Sequence, residues 1–287
     1  MKSFAVIDIG SNSVRLMIVA DGKVLYKTLQ TTRLGEGLEK ENRLQEVAIA
    51  RSARAVAQFY TRAINEGAQT VLAFATAAVR KADNGEEFLQ AVRALCPLQV
   101  QVVSGETEAE IGILGALGNQ DGAVIDVGGA STELVVKRDS KLVYKKSVDI
   151  GVVRLKDKCG QDEALLKEVC LRFAKEYGEV KGLACVHAIG GTATTLGAIK
   201  AGLASYDGAK VTGTEITASE MQTLADRLLS MTVEQISQLP CVMAGRADVL
   251  KGGAVLLATI AKYLGIEKFI ISDRDNLEGY AVQQGLM

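Results

Sequence analysis

Two stretches of this chain each end an apolar run with an aspartate and follow it directly with a segment rich in glycine and hydroxyl side chains. They read AVIDIGSNSV at residues 5–14 and AVIDVGGAST at residues 123–132. In such a tight turn several backbone N–H groups can point into one concavity and bind an anion, and glycine lets the backbone approach it closely. These residue types and their spacing therefore suit the binding of phosphate groups.

The two stretches belong to an internal duplication. Residues 5–27 align without a gap with residues 123–145 and share 11 of 23 positions, whereas unrelated segments would share roughly one or two. A single copy could equally be a glycine-rich hairpin, but two facing turns, with a third Gly-Gly-Thr turn at residues 190–192, could hold adjoining phosphates of one substrate. The predicted phosphate-binding residues are Gly10, Ser11, Asn12, Ser13, Gly128, Gly129, Ala130, Ser131, Thr132, Gly190, Gly191 and Thr192.

The carboxylates beside the turns suggest a metal ion. Asp8 and Asp126 end the two strands, where each could hold Mg²⁺ together with phosphate oxygens. Glu133 follows the second turn and shares a face of its strand with Val135, which is expected to pack inward; it could coordinate the same ion or orient an attacking water. The first copy carries Arg15 at the equivalent position. This asymmetry predicts chemistry at the second turn and binding alone at the first.

A further group of acids lies in SGETEAE, residues 104–110. Acidic residues in the first turn of a helix complement the helix dipole. Taken without any resemblance, this pattern therefore favours a structural role for Glu106, Glu108 and Glu110.

Three arginines, Arg33, Arg80 and Arg154, lie beside glycines or at the ends of predicted strands. A polyanionic substrate needs cations, although single arginines are more often solvated or structural. Because Arg80 lies at the end of a predicted strand, it is the strongest candidate for a phosphate ligand. Arg33, which lies in a glycine-rich loop, comes next. Lys81 is expected on the surface, and His187 is expected in the core.

The hydrophobic pattern predicts the elements that must hold these groups. Each copy of the duplication reads as strand, tight turn, strand, polar turn and strand. We expect two similar α/β domains, residues 1–118 and 119–287, facing each other across a cleft. Predicted strands cover 4–8, 14–19, 24–29, 70–75 and 99–103 in the first half, and 124–126, 134–136, 142–146, 185–189 and 268–272 in the second. Predicted helices cover 43–66, 104–117, 161–177, 219–229 and 248–264.

Composition narrows the functional classes. With 48% hydrophobic and 23% charged residues, the 287-residue chain can bury a substantial core, and its net charge of −1 offers no broad surface for nucleic acid. His187 is the single histidine and the five cysteines form no CxxC, which excludes paired-histidine metal enzymes and zinc frameworks. A P-loop motif is also missing. Without an apolar run of membrane-spanning length, a cytoplasmic protein is expected.

The chain resembles the exopolyphosphatase/guanosine pentaphosphate phosphatase (Ppx/GppA) family of the actin/sugar kinase/Hsp70 ATPase superfamily. DIGSNSVRL together with DVGGASTEL is highly specific for it. Ala130 stands where the family usually has glycine, and a negative φ would tolerate its methyl group. Longer members continue into a C-terminal HD-like helical region, which this sequence does not contain. The matching motifs, in family order, are DIGSNSVRL (8–16), RLGEGL (33–38), ATAAVRKADN (75–84), SGETEAEIG (104–112), DVGGASTEL (126–134), SVDIGVVRL (147–155), AIGGTATTL (188–196) and SDRDNLEGY (272–280).

The resemblance implies two ribonuclease H-like (actin-like ATPase) domains, each with a mixed five-stranded sheet flanked by helices. It implies that Glu108 is the general base, with Glu133 and Arg80 as further catalytic residues. The leading function is a Mg²⁺-dependent hydrolase that releases the terminal phosphate from inorganic polyphosphate, from guanosine pentaphosphate or from both. A kinase or ATPase of the same superfold and a non-catalytic guanosine tetra- or pentaphosphate sensor stay open. A homodimer is compatible with this reading, and no membrane or specific nucleic-acid partner is expected.

Overall fold

The first half of the chain forms a five-stranded mixed sheet. This computed structural model describes residues 3–160, 162–180, 182–243 and 245–287. Three initial strands form an antiparallel meander, and two parallel strands extend the sheet on the other side of the first one. The strands are β1 (Ser3–Ile9), β2 (Ser13–Ala20), β3 (Lys23–Thr31), β4 (Thr70–Ala75) and β5 (Val100–Val102), in the spatial order β3-β2-β1-β4-β5.

The second half repeats this arrangement and adds one strand. The predicted α/β architecture of two similar halves is therefore confirmed. The expectation of five strands in this sheet is wrong by one, because a three-residue segment pairs antiparallel with the last strand at the outer edge. The strands are β6 (Gly122–Val127), β7 (Thr132–Arg138), β8 (Lys141–Val148), β9 (Cys185–Ile189), β10 (Glu215–Thr217) and β11 (Lys268–Ile271), in the order β10-β11-β9-β6-β7-β8.

Helices flank both sheets, and none within the described ranges is long and apolar enough to cross a membrane. The helix predicted over 161–177 begins at Glu163, where the Asp162 side chain accepts a hydrogen bond from the Leu165 N–H at 3.0 Å; residue 161 lies outside the described residues. The helices are α1 (Leu38–Glu41), α2 (Glu46–Asn65), α3 (Ala77–Lys81), α4 (Gly85–Leu95), α5 (Gly105–Leu117), α6 (Val152–Cys159), α7 (Glu163–Ala174) with a 3-10 turn at Lys175–Tyr177, α8 (Gly190–Lys200), α9 (Gly208–Val211), α10 (Ala218–Leu229), α11 (Val233–Ser237), α12 (Ala247–Leu264) and α13 (Asn276–Gln283).

Helix α5 lies between the two sheets, and its sequence suits that place. From Ile111 to its end it carries only apolar residues, which is typical of a helix that is buried all round. Ile111 packs with the first sheet, and Ile113 packs with Val135 of the second. Val135 thus packs inward, as expected. Ser104 begins the helix by accepting a hydrogen bond from the Thr107 N–H at 3.0 Å.

The last helix, α13, crosses α5 at close range and also packs on β1. Two glycines allow the approach. A Cβ on Gly279 would lie 1.7 Å from the Ile111 carbonyl oxygen, and a Cβ on Gly115 would lie 1.8 Å from the Asp275 carbonyl oxygen. The crossing brings the start of α13, with Asp275 and Asn276, to the cleft between the halves.

Gly279→Ala should destabilise the protein by about 3 kcal/mol, because the added methyl group would overlap backbone atoms of α5 and push the two helices apart. Gly252→Ala in α12 is the matched control. A Cβ there would meet its nearest atom at 3.5 Å, and the better helix propensity of alanine should stabilise the protein by up to about 1 kcal/mol. Urea unfolding measures both, and equal stability of Gly279→Ala and the wild type would contradict the close crossing.

Candidate active site

The two predicted phosphate turns meet across the cleft and have the same conformation. The Gly10 N–H donates to the Ser13 carbonyl at 3.0 Å, and the Gly128 N–H donates to the Ser131 carbonyl at 3.0 Å. A Cβ on Gly129 would lie 2.6 Å from a side-chain carbon of the first turn, so the turns touch. They enclose a cavity of about 100 Å³ that both halves line.

Most residues predicted to bind phosphate line this cavity. Thr132 does not, because its hydroxyl donates to the Ile150 carbonyl at 2.5 Å. Arg33 does not either, and its guanidinium lies 2.9 Å from the Asp248 carboxylate. The φ angle of Ala130 is not positive, so its methyl group is tolerated as expected. The predicted residues that line the cavity are Gly10, Ser11, Asn12, Ser13, Gly128, Gly129, Ala130, Ser131, Gly190, Gly191 and Thr192.

The Gly-Gly-Thr segment differs from its predicted form. It is the first turn of helix α8 rather than a separate turn. Gly190 has a φ of +83°, and a Cβ there would lie 2.5 Å from Asp126 Oδ1, so both the backbone and the neighbouring carboxylate require glycine. The N-terminal end of α8 lies at the cavity, where its dipole favours an anion.

In the first copy of the duplication the aspartate is neutralised within its own hairpin. Asp8 and Arg15 are directly opposite in the antiparallel pair β1–β2, so their side chains share a face. Arg15 Nε donates to Asp8 Oδ2 at 2.8 Å, and the same guanidinium pairs with Asp275. Burial raises the pKa of Asp8 although Arg15 opposes this. Asp8, predicted as a metal ligand, keeps only Oδ1 without a partner among the described residues.

The second copy has another acid where the first has arginine. Asp126 and Glu133 are directly opposite in register, and no ion pair joins either of them to a basic side chain of the described structure. Asn276 Nδ2 donates to Asp126 Oδ2 at 2.9 Å, and Ser147 Oγ donates to Glu133 Oε1 at 2.6 Å. Burial, and then the charges of Glu133 and Asp275, raise the pKa of Asp126 to about 7. Burial also raises the pKa of Glu133.

Glu108 reaches the same cavity from helix α5. Arg80 Nη1 donates to Glu108 Oε2 at 3.0 Å and to the Val103 carbonyl at 2.7 Å. Burial, and then the charge of Glu133, raise the pKa of Glu108 well above its usual range, while Arg80 acts in the opposite direction. A buried carboxylate with a strongly raised pKa in a cleft is typical of a functional group.

The neighbouring charged residues have different surroundings. Glu106 and Glu110 lie 3.4 Å and 2.8 Å from the Lys145 ammonium, away from the cavity, which agrees with a structural role. Lys81, expected on the surface, instead pairs with Asp149 across the cleft. Burial, and then two nearby arginines, lower the pKa of Lys81 to about 8. The expectation for Lys81 is therefore wrong.

Sequence reasoning missed three residues of this site. Arg246 lines the cavity and covers Gly191, and its Nε has no hydrogen-bond partner among the residues described. Burial, and then the charge of Arg15, lower the pKa of Arg246 to about 10. No pattern in the sequence around Arg246 indicates its position. Asp275 and Asn276 lie in the family motif at residues 272–280, and that motif could have indicated their place in the site.

The acids of the second copy fit a divalent cation. Glu133 Oε2 has no hydrogen-bond partner in the described part of the chain, and Asp126 is its neighbour in register. Two adjacent buried carboxylates disfavour each other's charge unless a cation lies beside them. Within the described ranges no group of three or more His, Cys, Asp or Glu side chains could hold a metal by itself.

Known proteins resemble this chain in sequence and in fold. The model of the Ppx/GppA phosphatase family matches residues 16–286. The chain is 32% identical to exopolyphosphatase 2 of Mycobacterium tuberculosis over 97% of both chains. It is 28% identical to guanosine-5′-triphosphate,3′-diphosphate pyrophosphatase of Aeromonas hydrophila over 99% of this chain and 58% of that longer protein. The crystal structure of the Aquifex aeolicus family member covers 99% of this chain and 98% of its own, with a TM-score of 0.80 and 28% identity.

Fold and site together define an α/β protein of actin-like architecture with a cleft between two similar halves. This chain belongs to the Ppx/GppA phosphatase family. The family resemblance that the motifs indicated is thereby confirmed.

Asp126→Asn should stabilise the protein at neutral pH in the presence of a chelator. The pKa of Asp126 is raised from 3.8 to about 7, so its stabilising contribution is complete below about pH 4 and is lost as the pH rises through about 7. Asparagine removes that loss, and the gain in unfolding free energy should grow with pH to at most about 4 kcal/mol. Urea titrations across this range measure it. Asp83→Asn, at an exposed position, is the control, and a pH-independent difference for Asp126→Asn would refute the assignment.

Proposed function

We propose that this protein is a phosphoanhydride hydrolase that releases the terminal phosphate from inorganic polyphosphate, from guanosine pentaphosphate or from both. The observation that carries the proposal is the position of Glu108, a buried acid with a raised pKa, at a cavity lined by two phosphate-binding turns and by Asp126. The relatives named exopolyphosphatase 2 and guanosine-5′-triphosphate,3′-diphosphate pyrophosphatase support the same class of reaction.

Glu108 is the general base in this proposal. Attack on the terminal phosphorus requires that a water molecule lose a proton, and a carboxylate within hydrogen-bond reach can accept it. The raised pKa makes Glu108 a stronger base than an exposed glutamate, but the side chain must first be ionised. Arg80 donates to Oε2, so it favours the ionised form and orients the carboxylate. Arg80 therefore acts on the reaction through Glu108.

Several groups at the cavity could neutralise negative charge on the phosphoryl oxygens of a substrate. The backbone of both turns and the N-terminal end of α8 line the cavity. Arg246 lines it as well and has no ion-pair partner among the described residues, so a substrate phosphate would supply one. Hydrogen bonds from Asn276 and Ser147 hold Asp126 and Glu133 in place beside them. Asp126 and Glu108 thus lie at the same cavity as the anion-binding groups, and Glu133 is next to Asp126 in strand register.

Asp126 and Glu133 are the residues that would hold the divalent cation, which we propose to be Mg²⁺. When bound, the ion would neutralise charge on the phosphoryl oxygens and favour the ionised forms of the nearby carboxylates. Asp8 can contribute only through Oδ1, because Arg15 binds Oδ2. The first copy is therefore proposed to bind phosphate, and the second to carry the chemistry.

The site supports the two alternatives less well. A kinase or ATPase of the same superfold needs space for a nucleoside, and sites for ligands of that size usually enclose about 300 Å³ or more. The cavity here has a volume of about 100 Å³, which favours a terminal phosphoryl group. A non-catalytic sensor needs no general base, yet Glu108 is held at the cavity.

Glu108→Gln should reduce phosphate release by about 10²–10⁴-fold, because an amide cannot accept the proton of the attacking water. The fold should be retained, since the amide oxygen can still accept the hydrogen bond from Arg80. In the wild type, the rate should rise with pH as Glu108 loses its proton, at a pH above the usual range of a glutamate. Initial rates with long-chain polyphosphate measure both effects.

Glu106→Gln is the matched control on the same helix. The Glu106 side chain is 79% exposed and pairs with Lys145, so this variant should keep wild-type activity. A fully active Glu108→Gln protein would reject the assignment of the base.

Substrate and cation are tested together by measuring phosphate release from long-chain polyphosphate, guanosine pentaphosphate and ATP at matched concentrations of phosphate ends. With Mg²⁺ present, release is expected from one or both of the first two substrates. Chelation should abolish it, and Asp126→Asn should require a higher Mg²⁺ concentration because one ligand charge is missing. If neither polyphosphate nor guanosine pentaphosphate releases phosphate while the protein still binds nucleotide, the result would favour the kinase or the sensor.

A further inference from the structure

Helix α6 leads away from the second phosphate turn and carries two basic side chains on one face. Its first residues are attached to that turn, since the Arg154 N–H donates to the Gly129 carbonyl at 3.3 Å. Arg154 and Lys158 are four residues apart, which separates them by about 6 Å along the axis and places them on the same side. The two cations therefore begin at the turn and continue outward from it.

Both cations bind one carboxylate from the other half of the chain. Arg154 Nη1 lies 3.3 Å from Oε2 of Glu39 in α1, and Lys158 Nζ pairs with Oε1 of the same residue. The three side chains are between 14% and 26% exposed, so the cluster is sheltered but remains open to solvent. Arg154 Nε is buried and has no hydrogen-bond partner within the described structure. Two positive charges thus share a single negative one.

Glu39 is held in this position from the first phosphate turn. In the segment before α1, the Gly35 N–H donates to the Ser11 carbonyl at 2.8 Å, and the Gly37 N–H donates to Asp157 Oδ2 of α6 at 3.1 Å. Helix α1 therefore bridges the first turn and α6. A carboxylate bound by two cations in this way occupies the place that an anionic ligand would take.

We propose that Arg154 and Lys158 form a second anion subsite, which binds a phosphate of a polyphosphate chain outside the cavity, and that Glu39 fills this subsite in the unliganded protein as an internal competitor. The inference rests on the proposed function and selects an extended polyphosphate as the substrate class. A chain whose end lies between the two turns passes the start of α6, where one of its phosphates displaces Glu39. The phosphate offers the two cations more acceptor oxygens than the carboxylate that leaves.

A simple strut between the halves is the alternative, and it predicts a different pattern. If Glu39 and Lys158 only fasten the halves together, removing either charge breaks the same contact and changes binding in the same direction. If Glu39 competes with the substrate, removing its charge strengthens polyphosphate binding. Removing the charge of Lys158 then weakens it.

The test measures binding of fluorescein-labelled long-chain polyphosphate by anisotropy in the Glu108→Gln background, where turnover is suppressed. Adding Glu39→Gln should lower the Kd about threefold, and adding Lys158→Gln should raise it about threefold, as expected for single, partly exposed charges. Lys210→Gln in α9 removes a lysine whose side chain is 69% exposed and should leave the Kd unchanged. Unlabelled inorganic phosphate, used as a competitor, should bind equally well to all of these proteins, because a single phosphate bound between the turns has no second phosphate to place at the outer subsite.

Each other outcome has a definite meaning. Changes of the same sign in Glu39→Gln and Lys158→Gln would indicate a strut and overturn the proposal, as would no change in either. Equal changes with inorganic phosphate would assign the two cations to the terminal-phosphate site and overturn a separate subsite. If the expected order of Kd values holds but the wild type releases no phosphate, the subsite stands and the proposed hydrolysis fails.

Discussion

The remaining features of this site depend on a pair of buried acids, Asp126 and Glu133, that has no basic partner in the described structure. Two adjacent carboxylates in a low dielectric disfavour each other's charge, and here hydrogen bonds orient them without neutralising them. In the first copy the same register position carries Arg15, which neutralises Asp8 directly. The two hairpins therefore differ in the charge at this one position. We propose that the first hairpin, with Arg15, only binds phosphate, and that the second, with Glu133, attracts a cation and supports the chemistry.

Helix α5 adds the third acid and connects it to the rest of the fold. It is buried between the two sheets, so Glu108 stands on a rigid element rather than on a loop, which is the arrangement that a precise site requires. Helix α13 crosses α5 through glycine contacts, and its first residues reach both hairpins. Asp275 pairs with Arg15 of the first copy, while Asn276 donates to Asp126 of the second. The packing of these two helices thus helps to set the position of Glu108 relative to Arg15 and Asp126.

The two turns are in contact in this structure, and internal ion pairs occupy several of the cations around the cleft. The two turns touch, Arg80 is bound to Glu108, and Arg33 is bound to Asp248. Arg246 lines the cavity and has no ion pair in the described ranges. We therefore propose that binding of a polyanion at this cleft is an exchange, in which phosphate oxygens replace the protein's own carboxylates at some cations and supply the missing partner at Arg246.

The duplication, the strand and turn positions and the acids beside the turns could be predicted from the sequence, because period-two patterns and glycine-rich turns are local properties of the chain. The sixth strand of the second sheet could not, since a three-residue edge strand depends on its neighbour for pairing. The contacts that neutralise or orient the acids span up to 260 residues, as between Arg15 and Asp275, and Arg246 lies in a loop without a pattern. As residues in the first turn of a helix, Glu106 and Glu108 look alike, and only the family motif distinguishes them in the sequence. The physical reason lies in the tertiary structure, because the burial of α5 between two sheets turns Glu108 into the cavity and leaves Glu106 in solvent.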